Sequence, residues 1–271
     1  MLAITNNNKG FSLIELAMVL FIVGLLLGGL LIPLSTSIEQ QNRELAEEQL
    51  TQVRDALLGF SIINGRLPCP DCPDDTIGTC NAAAAAEVND GQEDLVGTAP
   101  NRTCRTDVGN VPWVDLQVDE DDAWGNHLTY RPSANFSRES NTAICGTAAI
   151  GISFELCTTA DVDIYSTYSS PYGGNPDVAD NVVAVVVSHG SNYLETVQTD
   201  QEVENYGRNP VNPDTGVNIL AAYTASDYDA NVFLLQGYDQ DASGNIEFDD
   251  LLIWIPSTVL MNQMVSAGRL P

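Results

Sequence analysis

Residues 10–34 read GFSLIELAMVLFIVGLLLGGLLIPL. From Leu16 to Leu34 there is no charged side chain. At about 1.5 Å of rise per residue, such a run can cross roughly 30 Å of hydrocarbon as a helix. The segment before it, MLAITNNNKG, is polar and ends in Lys9-Gly10. A secretory signal is normally cut after its apolar core. Here the cleavable-looking Gly10 lies before the core, so cutting there keeps the hydrophobic helix on the protein. One residue interrupts the apolar pattern, Glu15. A carboxylate inside a membrane segment is costly and marks a functional position. Cleavage after Gly10 would create an α-amino group on Phe11, and a neighbouring subunit's amine would be a natural partner for Glu15.

The pattern continues past the apolar run. Residues 38–65, IEQQNRELAEEQLTQVRDALLGFSIING, place Ile38, Leu45, Leu50, Val53, Leu57 and Phe60 on one helical stripe. Gly65 is a fitting C-cap and Pro68 a stop. The spacing therefore predicts one long helix with an apolar first half and an amphipathic second half.

The string Gly10-Phe11-Ser12-Leu13-Ile14-Glu15-Leu16 resembles the processing site of type IV pilins and type II secretion pseudopilins. The resemblance implies that a prepilin peptidase cuts after Gly10 and methylates Phe11, and that Glu15 serves assembly. Pro33 resembles the helix-kinking proline of many pilins. The implied fold is α+β: a long N-terminal helix on an antiparallel β-sheet head with long loops. The segments are then a leader at 1–10, a membrane or filament-core helix at 11–35, its amphipathic continuation at 36–65, and a β-rich head at 66–271. The implied partners are identical or related subunits and the peptidase. The implied location is the inner membrane before assembly, then an extracellular or periplasmic filament. A minor pilin or tip adhesin and a secretion pseudopilin are alternatives within this class.

The chain has 271 residues, 37 of them acidic against 10 basic, for a net charge of −27. Such a surface repels phosphate backbones, which argues against a nucleic-acid partner. It suits solubility, and it suits cations. No GxSxG, P-loop, HExxH or GxGxxG motif occurs, so nothing in the sequence argues for an enzyme.

Strands are expected at His127–Arg131, Ile150–Leu156, Val182–Ser188 and Leu251–Ile255. The run 182–187 is almost wholly β-branched, as a strand buried on both faces would be. The segment from Asp122 through Trp124 and Gly125 to Tyr130 is similar to the one that opens the sheet in major pseudopilins, which implies that Trp124 packs its turn against the long helix.

Six cysteines follow the hydrophobic segment. An even count after an export signal favours disulfides. Cys145 and Cys157 are the best local pair, and the pairing among Cys69, Cys72, Cys80 and Cys104 is open. The rival reading of those four is a zinc site built on Cys69-x-x-Cys72.

Residues 239–250, DQDASGNIEFDD, carry the sharpest chemical pattern in the head. Asp239, Asp241 and Ser243 occupy positions 1, 3 and 5 of a twelve-residue calcium loop, with Gly244 at 6 and Asp250 at 12. Asn245 would offer its carbonyl, and Glu247 would act through water. The aspartate at position 12 and the strand-like flank depart from a helical pair. The expectation is a calcium loop between non-helical elements, set against a solvated acidic turn. A weaker cation candidate joins Ser188–Asn192 to Asp200, Glu202 and Glu204, with His189 read as a turn residue.

Overall fold

The computed structural model describes residues 12–73, 80, 88–139, 151–169, 172, 175–193, 199–207, 231–241 and 246–270, and the side chains of all these except 26–36. Helix α1 spans Leu13–Asn64. The chain divides into two compact units, Met1–Glu44 and Leu45–Pro271, with the boundary inside this helix. In the first unit the described side chains from Leu13 to Leu25 are exposed on every side of the helix.

Among the described residues, the second unit contains the rest of α1 and ten strands: β1 Leu95–Thr98, β2 Asn101–Cys104, β3 Gly109–Asn110, β4 Thr129–Pro132, β5 Val162–Tyr165, β6 Ala179–Ser188, β7 Val232–Leu234, β8 Asp239–Gln240, β9 Ile246–Phe248 and β10 Leu251–Pro256. Four short helices punctuate them: α2 Trp113–Leu116, α3 Ala134–Ser137, α4 Asp200–Tyr206 and α5 Ser257–Ser266. The main sheet runs β3-β4-β6-β5-β7, with β10 on the other side of β6. It is antiparallel except where β5 and β7 run parallel, so the sheet is mixed rather than purely antiparallel.

Strand β6 is buried on both faces, as its β-branched run requires. Ala184 and Val186 join a core with Leu50, Val53 and Leu57 of α1. Val185 and Val187 enter a second core with Ile164 and Phe233. Helix α1 is followed by Gly65, whose φ of +72° continues the chain in the left-handed region. A side chain there would collide with the Gly151 carbonyl, 2.0 Å from a built Cβ, so glycine is required.

The expected strands at Val182–Ser188 and Leu251–Ile255 are β6 and β10, and His127–Arg131 overlaps β4. The described residues of Ile150–Leu156 form no strand. Ile152 and Phe154 are buried in the helix-side core, but the Ser153 N–H donates to the Gly65 carbonyl rather than to a neighbouring strand. The apolar residues here serve burial, without a ladder to join.

Two disulfides close the segment after α1. Cys69 pairs with Cys104 and Cys72 with Cys80. These bonds remove the four thiolates that the zinc reading needed. Cys157 is also disulfide-bonded, and Cys145 lies outside the described residues.

Candidate functional site

Gly10 and Phe11 lie outside the described residues. Glu15 sits in the first turn of α1, and its Oε2 accepts from the Ser12 backbone N–H at 3.2 Å. This is one arm of a capping box, Ser12-x-x-Glu15, and it places a negative charge at the positive end of the helix dipole. The S-x-x-E spacing is itself legible in the sequence. Around Glu15, Leu13, Ile14, Leu16, Met18, Leu20 and Phe21 are all more than half exposed. A helix apolar all round is not a stable solvated surface; it belongs in lipid or between other helices. Among the described residues no helix is long and apolar enough to cross a membrane. The run Leu16–Leu34 extends into 26–36, beyond the described side chains.

In the head, the acidic loop expected to hold calcium folds in part as the β8–β9 hairpin, with Asp239 opposite Phe248. Asp239 and Glu247 are exposed. Asp250 is buried and accepts from Asn205 Nδ2 at 2.9 Å. Ser243 and Asn245 lie outside the described residues. Asp250 thus belongs to a buried group of residues, while Asp239 is exposed.

That group surrounds His189. As the sequence reading expected, it is a turn residue, capping the 3-10 turn Gly190–Asn192, and its ring is buried against those of Tyr193 and Tyr206, with centroids 5.2 and 4.5 Å away. Its Nε2 meets Thr129 Oγ1 at 2.8 Å, and its Nδ1 lies 3.4 Å from Asp250 Oδ1. Threonine, histidine and aspartate in this order resemble the wiring of a nucleophilic triad. However, Thr129 is 1% exposed on an internal strand, so no substrate reaches its hydroxyl.

The neighbouring carboxylates are held by donors. Asp249 Oδ2 accepts from the Ser191 N–H and hydroxyl, Asp122 from Ser188, and Glu202 from Asn192. Gly190, at φ +65°, brings this turn so close to Asp249 that a Cβ would meet the carboxylate at 2.3 Å. Burial pushes the Glu202 carboxyl up to about 7, with Asp250 and Asp249 adding to the rise. Of the weaker cation candidate, Ser188, Asn192 and Glu202 therefore sit in this cluster, while Asp200 is exposed. These contacts tie the β6–α4 connection to the start of β10, which is a structural role.

Trp124, expected to pack its turn on α1, is half-buried. The turn is closed by Asp122 Oδ1, which accepts from the Trp124 and Asn126 N–H groups. Its link to α1 is Gln49 Nε2, donating to the Asp121 carbonyl at 3.2 Å.

The family described as the prokaryotic N-terminal methylation motif matches residues 5–31. This motif indicates a type IV pilin-like or pseudopilin precursor, and the α+β fold with its N-terminal helix fits that class. The class is structural rather than enzymatic. No curated protein and no solved structure matches the chain.

Proposed function

We propose that this chain is a structural subunit of a type IV pilus-like filament. A prepilin peptidase would cut after Gly10, and the subunit would polymerise through its N-terminal helix. The observation that carries this reading is the all-round apolar surface of α1 from Leu13 to Leu25, beginning at the methylation motif. In the inner membrane that surface is solvated by lipid. In a filament the same surface is covered by helices of other subunits, and Glu15 meets the Phe11 amine of a neighbour.

Mass spectrometry of the membrane fraction, with electron microscopy of sheared surface filaments, tests the reading. The expected result is a chain that starts at methylated Phe11 and is present in the filaments. A chain that keeps Met1 overturns it. Glu15→Ala is expected to leave cleavage intact and to remove the subunit from filaments. Abundance separates a major subunit from a tip adhesin, which would be a trace component.

Calcium at residues 239–250 is a separable proposal, supported by the spacing of Asp239, Asp241, Ser243, Asn245 and Glu247. With Asp250 held by Asn205, the ion would rest on the first five positions. Calorimetry with Ca2+ decides it: absence of heat, or heat unchanged in Asp239→Ala, removes the site.

A further inference from the structure

The hairpin-like turn from Glu120 to His127 gathers one imidazole and two carboxylates at the surface. Asp121 and His127 form an isolated antiparallel bridge, which sets their side chains next to each other. His127 Nδ1 lies 2.9 Å from Asp121 Oδ1, and His127 Nε2 lies 4.0 Å from Glu120 Oε1. One ligand atom from each of the three residues falls within 4.8 Å of the others. Among the described residues this is the one group of three or more such side chains so placed.

Three further observations separate this cluster from a chance meeting of acids on an acidic surface. First, it contains a histidine, one of two in the chain. A nitrogen donor beside two carboxylates suits borderline divalent ions such as zinc, nickel or copper better than calcium or magnesium. Second, the ring is fixed. The Trp113 indole stacks flat against it, with centroids 5.3 Å apart and 7° between planes. Asn89 Nδ2 lies 3.2 Å from Nε2, and Asn89 in turn accepts from Asn110. The indole stack holds the ring plane and lowers the entropy lost on binding; a metal on Nδ1 would put the imidazole proton on Nε2 and require Asn89 to turn its amide oxygen towards it. Third, Asp121 Oδ1 is close to Nδ1 yet makes no aligned hydrogen bond with it. With the Nδ1 proton displaced, the two atoms are placed to bind one ion side by side.

We infer that His127, Asp121 and Glu120 form a surface site for a divalent transition-metal ion of the zinc class. The carboxylates remain about half exposed, so water completes the coordination. The net charge of −27 draws cations towards the whole surface, but only His127 supplies the imidazole here. This inference concerns the head alone and does not depend on filament assembly.

The stacked indole provides a local readout. The full chain in detergent is titrated with Cu2+ while tryptophan fluorescence is followed, and with Zn2+ in a calorimeter. The expected result is saturable one-site quenching and one-site heat. His127→Ala is expected to weaken both at least tenfold while the melting temperature without metal stays within a degree or two. Trp113→Phe is expected to remove most of the quenching and to keep the Zn2+ heat. Quenching and heat unchanged in His127→Ala would mean diffuse attraction by surface acids, and would overturn the site. So would the absence of saturable binding in the unaltered chain.

Discussion

The Arg66 guanidinium holds the Glu93 carboxylate through two hydrogen bonds of 2.6 Å, just past the C-terminal end of α1. Arg66 is nearly buried, and Glu93 Oε2 also accepts from the Cys69 N–H. Arg102 and Glu139 form a second bidentate pair beside the first, with Glu139 3.9 Å from Arg66. Arg102 keeps the Glu139 carboxyl below its ordinary range. The network ties the end of the helix to β2 and to the segment after α3.

Removing one partner from such a pair leaves the other charge poorly solvated. Arg66→Ala is therefore expected to destabilise the head by about 3 kcal/mol, the lower end for a buried pair because Glu93 keeps some solvent contact. Arg54→Ala, which breaks only the exposed pair with Asp55, is expected to cost under about 0.5 kcal/mol. Urea unfolding of the two variants measures the contrast. Equal losses would mean that the Arg66 pair is no more than a surface contact.

The two described disulfides differ in reach. Cys69 and Cys104 are 35 residues apart in sequence, and Cys72 and Cys80 are 8 apart. Chain-entropy arguments give about 4 kcal/mol for the longer loop and about 2.5 for the shorter. The double variant Cys69→Ser with Cys104→Ser is expected to lower the melting temperature more than Cys72→Ser with Cys80→Ser. The reverse order would place the stabilisation in native-state packing instead.

The sequence showed most clearly what depends on neighbours in the chain. The Gly65 cap and the β-branched run of β6 are local signals, and each is where the pattern placed it; of the α1 stripe, Leu50, Val53 and Leu57 are buried and Phe60 half-buried, whereas Ile38 and Leu45 are exposed. The motif at residues 10–16 was also readable, because a charge inside an apolar run is rare. Long-range packing was not readable. His189 is buried because Tyr193 and Tyr206 cover it and Thr129 reaches it from β4, all partners supplied by folding. Nor does loop spacing show that Asn205, 45 residues away, engages Asp250. Helix α5 passed unnoticed although Leu260 and Met264, one turn apart, are both buried. The cation cluster at Glu120, Asp121 and His127 had a signal too, a histidine closing a turn that opens with acids.

Stability should depend on pH through Asp71. This aspartate is fully buried, and its Oδ2 accepts from the Gly91 N–H. Burial pushes its carboxyl from about 3.8 up to about 7, Asp94 and Asp90 add to the rise, and the Gly91 hydrogen bond opposes it. Between those values the folded chain binds more protons than the unfolded chain. Stability therefore falls as pH rises from about 4 to about 7, and the loss is complete above that range. Asp71→Asn keeps an acceptor for Gly91 and removes the titration. Urea unfolding at pH 5 and pH 8 is expected to show a stability gap for the unaltered chain that narrows in Asp71→Asn. An equal gap in both proteins would assign the pH dependence to other groups.

The second half of α1 holds the head through a few side chains. Leu57 is fully buried between the helix and the sheet, in the core that contains Val53, Tyr130 and Val186. Six residues on, Ile63 is 76% exposed on the same helix. Both are apolar, and composition alone does not tell them apart; the stripe does. Truncating a buried leucine removes its transfer energy and leaves a cavity, at a cost of about 2–5 kcal/mol. Leu57→Ala is expected to destabilise the head by that amount, and Ile63→Ala by about 0.5 kcal/mol or less. Thermal or urea unfolding of each variant gives the comparison. A large loss in Ile63→Ala would show that this face of α1 is covered in the assembled protein.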